Sequence, residues 1–247
     1  MHAKEDVARV VALGHMGLTA TDISRRTGIP RRTVHDWLHC KVPRRGDKAG
    51  RRCAGCGHAP HRFASLPTRY AYLLGVYLGD GCISPHPRGV FRLRIALDAA
   101  YPRIIEETAS AMRSVMPRNS VGRVDCGTWV QLNGYSKAWP CLFPQHGPGK
   151  KHERPIGLTP RQWERVERAP ELLLRGLIHS DGCRFQNTGR GWSNPRYVFS
   201  NASGDIRGIF ERTCALLDLH TTRSTRAVYV SRKADVARMD EFVGPKA

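Results

Sequence analysis

Two carboxylates stand in matching surroundings, 101 positions apart, at Asp80 and Asp181. Asp80 closes the apolar run YLLGVYLGDGCIS (72–84), between Gly79 and Gly81. Asp181 closes LLLRGLIHSDGCRF (172–185), between Ser180 and Gly182. Both runs read as buried helices. An acid at a helix C-terminus faces the negative end of the helix dipole, and two such acids close together repel. A cation between them removes both penalties. Oxygen ligands completed by water suit Mg2+, with Mn2+ as a substitute. The chemistry such a pair can do is metal-assisted hydrolysis of a phosphodiester. An Asp-Gly that merely ends a helix in a turn explains one motif, but not two that deliver acids to one point.

The elements around the acids must bring them together. Gly75 and Gly79 lie four apart on one helical face, as do Gly176 and Ser180 on the other helix. Small residues at this spacing let two backbones approach closely, and the simplest arrangement packs the helices across a pseudo-twofold axis. From residue 66 onward the chain reads as a duplication. The first motif helix precedes a strand pattern, FRLRIALD (91–98), in which Phe91, Leu93, Ile95 and Leu97 alternate with Arg92, Arg94 and Ala96. That is the period of a half-buried strand with a basic outer face. A helix (102–116), two short strands and an amphipathic piece from Lys137 to Phe143 follow. The second copy repeats the order: a strand at 196–201, a helix at 205–219, strands at 221–226 and 227–231, and a closing helix, KADVARMDEFV. YSKAW places Lys137 where SRKAD places Lys233. FPQHGPGKKHERPIGLTPRQ (143–162) reads as the connection between repeats.

LLGVYLGDG (73–81) and LRGLIHSDG (174–182) resemble the paired motifs of single-chain LAGLIDADG homing endonucleases. The resemblance spans 66–247. It implies an α+β fold: tandem, pseudo-symmetric αββαββα repeats forming a DNA-binding saddle. It implies cutting of double-stranded DNA by a monomer with internal pseudo-twofold symmetry. Asp80 and Asp181 would hold the divalent metal, joined by the carbonyls of Gly79 and Ser180. A basic residue per copy, Lys137 and Lys233, would organise the hydrolytic water. Arg92, Arg94, Gln131, Asn133, Arg196, Arg223 and Arg226 would meet DNA from the saddle strands. At the sixth motif position, often acidic in the family, stand Leu78 and His179. A branch recruited as transcription regulators has in part lost cleavage; this chain keeps both acids.

Ahead of the duplication, residues 4–39 read as a helix-turn-helix, making 1–45 a small all-α domain. Thr19 or Thr21 can cap a short helix, Asp22 suits its dipole, Gly28 can end it in the left-handed conformation and Pro30 suits the start of the next. Val34 and Leu38 face inward, leaving Arg31, Arg32, Thr33, His35 and Asp36 outside. Basic residues at that helix start suit phosphates and base edges; the plainer reading is a helical hairpin with a solvated basic face. A basic linker (46–65) then carries CAGCGHAPH. Cys53 and Cys56 form a knuckle suited to structural Zn2+, with His58, His61 or Cys40 as further ligands. The alternative is a loop with spare thiols. The remaining segments, 66–150 and 151–247, each hold one repeat.

Charge narrows the partner. Forty Lys and Arg face twenty-one Asp and Glu, a formal net of +19. Residues 1–63 carry 13 basic and 5 acidic side chains, and 64–247 carry the other 27 and 16, so both parts are basic. Such a balance points to a polyanion, nucleic acid by default. No stretch reaches the 18 or so apolar residues of a membrane span, and the N-terminus lacks an apolar signal core. The reading is an intracellular protein of cytoplasm or nucleoid, whose eight cysteines are thiols or metal ligands.

Overall fold

The helix Arg69–Asp80 is apolar on every side: all nine residues from Tyr70 to Leu78 are buried. A helix with no polar face must lie inside the protein rather than on it. The computed structural model, which describes residues 4–38, Cys53, Cys56, 63–244 and Lys246, puts it there. The chain divides into two compact units, Met1–Arg52 and Cys53–Ala247. The division falls inside the stretch that the sequence assigns to a linker.

The first unit has three helices: α1 (Lys4–His15), α2 (Ala20–Thr27) and α3 (Arg31–Leu38). Val10, Ile23, Ile29, Val34 and Trp37 form its core. Thr19 caps α2 by accepting from the Asp22 amide at 3.3 Å. Gly28 ends it at φ 71°, a left-handed conformation that a side chain would strain. The Ser24 hydroxyl donates to the Ile29 carbonyl at 2.7 Å and ties the corner between α2 and α3. Arg31, Arg32 and His35 are exposed, and Thr33 is half-buried.

The second unit is an α+β fold of two αββαββα repeats. The first runs α4 (Arg69–Asp80), β1 (Gly81–His86), β2 (Val90–Asp98), α5 (Pro102–Val115), β3 (Val121–Asp125), β4 (Trp129–Ser136) and α6 (Trp139–Leu142). The connecting helix α7 (Pro160–Val166) leads to the second: α8 (Pro170–Asp181), β5 (Gly182–Gly189), β6 (Trp192–Ser200), α9 (Gly204–Ala215), β7 (Thr221–Arg223), β8 (Ala227–Val230) and α10 (Lys233–Val243). Each repeat forms a four-stranded antiparallel sheet, ordered β1-β2-β4-β3 and β5-β6-β8-β7. One hydrophobic core runs through both repeats. In β2, Leu93, Ile95 and Leu97 are buried, as their alternation predicts. Bidentate pairing of Arg184 with Asp240, at 2.7 and 3.0 Å, ties α10 to its sheet. Among the described residues, no helix is long and apolar enough to cross a membrane.

The helix–strand junctions are abrupt. Neither motif helix ends in a turn: Gly81 (φ −84°, ψ 148°) and Gly182 (φ −119°, ψ 168°) are already extended, so β1 and β5 start directly after the acids. The motif glycines are instead sites of close approach. A Cβ on Gly81 would lie 2.6 Å from the Tyr77 Cα, and one on Gly182 2.8 Å from the Ile178 Cα.

Candidate active site where the central helices end

α4 and α8 touch backbone to backbone. A Cβ on Gly75 would fall 2.5 Å from the Leu173 carbonyl oxygen, and one on Gly176 2.2 Å from that of Tyr72. At the ends of the helices, a Cβ on Gly79 would fall 2.5 Å from the Ser180 Cβ and 2.8 Å from the Asp181 Oδ2. The small-residue faces therefore meet each other, and the two carboxylates arrive together.

Both acids are partly buried. Burial first, and then the neighbouring charge of Asp181, push Asp80 up to about 7. Burial also raises Asp181, against a 2.6 Å hydrogen bond from Asn201 Nδ2 to its Oδ2 and the charges of Lys151 and Lys246. Two carboxylates that repel each other at helix C-termini are poised for a shared cation. Gly79, which carries no Cβ, lets the ends of the two helices come this close. The oxygen-only donor set of Asp80 and Asp181 fits Mg2+ or Mn2+.

The cationic side chains beside the acids are not the ones expected. Lys137 and Lys233 are exposed. Lys233 lies in a surface recess with Arg196, Asn187 and Ser231. The basic groups acting on Asp80 and Asp181 are Lys151 and Lys246. Lys151 Nζ donates to the carbonyls of Tyr77, Leu78 (3.0 Å) and Gly79 (3.1 Å), capping the negative end of α4. Its ammonium also lies 4.8 Å from the Tyr77 ring centre. Burial brings Lys151 down to about 8 although both acids hold it up. The Gly79 carbonyl, expected to face the metal, here accepts from this lysine. One cavity is lined by Asp181, Gly79, Lys151 and Asn201; another is lined by Asp80, Ser180, Asp98 and Lys246. Each acid thus has its own lysine-bearing recess.

The expected DNA-facing residues separate into two groups. Arg92, Arg94, Gln131 and Asn133 share the sheet face opposite the core, because their cross-strand partners alternate with buried Leu93 and Ile95. Arg92 Nε and Gln131 Nε2 both donate to Asn133 Oδ1, at 2.9 and 3.1 Å, which buries the Asn in a polar network. Arg196 occupies the equivalent face of the second sheet, stacked 4.6 Å from the Tyr229 ring and donating to Ser231 Oγ at 2.6 Å. Arg226 is exposed in the β7–β8 turn. Arg223 departs from expectation. It pairs with buried Val228, so it points to the helix side of the sheet, where it meets Glu211 of α9 at 3.5 Å. Exposed Tyr135, over which Arg92 lies at 5.8 Å, belongs to the outer face and has no counterpart among the residues expected from sequence.

Leu78 and His179, at the variable motif position, are buried. His179 is held by Tyr72 Oη at 3.0 Å and the Val243 carbonyl at 3.1 Å, so it serves the core. Cys53 and Cys56 lie beside Cys141 of α6. His58, His61 and Cys40 lie outside the described residues.

Among known proteins, no family model and no curated sequence matches this chain. Solved structures do. Mesophilic variants of the homing endonuclease I-DmoI are similar over 72% of this chain and 96% of theirs, at 16% identity and a TM-score of 0.50. I-DmoI in complex with DNA and Mn is similar over 73% of this chain and 98% of its own, also at 16% identity and a TM-score of 0.50. A weaker likeness, at 13% identity and a TM-score of 0.46, covers 74% of this chain and 88% of the N-terminal LAGLIDADG domain of DUF199/WhiA. The repeated unit of this chain therefore has the fold of I-DmoI.

Proposed function

We propose that this protein is a LAGLIDADG-type, site-specific endonuclease that cuts double-stranded DNA as a monomer. The observation that carries the reading is the convergence of Asp80 and Asp181 at the ends of two helices packed through Gly75 and Gly176. Mg2+ or Mn2+ bound there would supply Lewis-acid stabilisation of the phosphate and the leaving oxygen. Asp80 and Asp181 would hold the ion, with the carbonyl of Ser180 beside them, while that of Gly79 stays with Lys151. Lys151 and Lys246 would place positive charge against the scissile phosphates from either recess, a role we assign to them ahead of Lys137 and Lys233. With its value near 8, Lys151 keeps its proton at neutral pH and stands close to releasing it. Arg92, Arg94, Gln131, Asn133, Arg196 and Arg226 would bind the duplex along the two sheets, and Tyr135 and Tyr229 would brace two of the arginines. The three-helix unit would contribute Arg31, Arg32, Thr33 and His35 as a separate DNA contact.

The test is cleavage of a randomised duplex library with Mg2+ or Mn2+. Double-strand cutting at a recurrent site is expected. It is lost in Asp80→Ala and Asp181→Ala and reduced by at least about 100-fold in Lys151→Met, in line with losing charge stabilisation in the transition state. Normal cutting by both aspartate variants would overturn the assignment. A non-cleaving DNA-binding regulator is favoured by one observation: Lys151 already brings a resident cation to both acids. That reading expects tight duplex binding, no cutting with either metal, and indifference to both alanine substitutions.

A further inference from the structure

Three thiols outside the acid pair come together from distant parts of the second unit. The Sγ atoms of Cys53, Cys56 and Cys141 all lie within 4.8 Å of one another. Cys53 Sγ and Cys141 Sγ are 3.6 Å apart, although 88 positions separate them in the chain. All three are partly buried.

Two simple explanations do not account for the cluster. A disulfide needs a sulfur–sulfur distance of about 2.05 Å, and it joins two cysteines rather than gathering three. Hydrophobic burial of thiols would favour apolar neighbours, as for Cys214, which is buried in the hydrophobic core. The cluster instead places sulfur against sulfur. Tetrahedral zinc with Zn–S bonds of about 2.3 Å sets its sulfurs about 3.8 Å apart. The observed separation is close to that value. The two-residue spacing of Cys53 and Cys56 is that of a knuckle which grips zinc from one side.

We propose that Cys53, Cys56 and Cys141 ligate one structural zinc ion. Cys141 replaces one of the histidines that local sequence spacing would nominate. Three thiolates leave one position of a tetrahedral site for a further donor. Thiolate ligands select a soft ion over the Mg2+ that suits the carboxylates. The two metal sites are therefore chemically distinct. The zinc pins the chain ahead of the first repeat onto α6, which directly follows the strand bearing Gln131 and Asn133.

The test uses the full chain purified under reducing conditions without chelator. Metal analysis is expected to find about one zinc per chain in the wild type and in Cys126→Ser, a control thiol outside the cluster. Cys141→Ser should lose the zinc or bind it at least about ten-fold more weakly. Cobalt replacement should give a thiolate-to-metal charge-transfer band and strong tetrahedral bands in the visible, both weakened in Cys141→Ser. A second measurement needs no variant. Cys53, Cys56 and Cys141 should resist alkylation in the zinc-loaded wild type and become reactive together when a strong chelator is added. Wild-type protein that takes up neither zinc nor cobalt at stoichiometric levels would overturn the proposal. So would full zinc affinity in Cys141→Ser, alkylation of Cys141 unaffected by chelator, or a Cys53–Cys141 disulfide in the purified chain.

Discussion

Asp80 concentrates the energetic conflict in this molecule. Its carboxylate is partly buried, lies at the negative end of α4 and faces a second acid. Lys151 answers part of that cost from the end of α4. In metal-free buffer the folded protein holds a proton on Asp80 up to about pH 7, whereas the unfolded chain releases it near 3.8. The folded state therefore binds more protons across that window. The stability Asp80 contributes is full below the unfolded value and is lost as pH rises through about 7. Asp80→Asn has no such loss. With chelator present at pH 8, the variant should be more stable by about 1–3 kcal/mol, a figure reduced to allow for partial exposure. That corresponds to a melting temperature raised by roughly 2–12 °C. Magnesium should then raise the wild-type melting temperature more than that of the variant. Thermal denaturation of both proteins with and without Mg2+ checks the two effects together. A variant that melts lower than wild type in chelator would show that Asp80 is held by contacts rather than strained by charge.

At the scale of elements, the α4–α8 contact decides whether the repeats can form one body. Gly176 has no room for a methyl group, because its neighbours there are backbone atoms of Tyr72, Gly75 and Val76. Gly176→Ala must push the helices apart and should cost about 3 kcal/mol or more. Gly208, in the middle of α9, has open space where a methyl group would go, with nothing within 4 Å. Gly208→Ala should be neutral or stabilising by up to about 1 kcal/mol. Urea unfolding midpoints compare the two. The duplicated order of elements is legible in the sequence because helix and strand periods leave local patterns, and α10 begins and ends where its pattern does. The carboxylate pair is legible for the same reason, since small residues at helical spacing precede each acid. Lys151, Lys246, Asn201 and Cys141 are not legible as site residues. They sit in connections and element ends with no period, and only the tertiary fold carries them to their partners. Arg223 differs from expectation by one step of strand alternation. Its basic character suggests the DNA face, whereas register against Val228 assigns it to the other.

At the scale of the whole molecule, positive charge is spread through both units, with 13 of the 40 basic residues in the first 63 positions. On the proposed function, the basic N-terminal unit would be a second contact with DNA. Arg31 and Arg32 are exposed where α3 starts, directly after the Pro30 corner, so they can approach phosphates at the cost of little side-chain burial. Each phosphate contact releases counterion and adds about 0.9 to the slope of log affinity against log salt. If α3 meets the backbone, replacing Arg31 and Arg32 together by alanine should lower that slope by about 1–2 and weaken binding most at low salt. The cut bonds should not move, because Asp80 and Asp181 belong to the other unit. Binding titrations on one duplex over a series of salt concentrations, with cleavage mapped on the same duplex, read both quantities. An unchanged slope would remove the first unit from the DNA interface and leave recognition to the two sheets. A shifted cut site would mean that the first unit sets the register of the repeats on DNA, a tighter coupling between the two than their separate cores require.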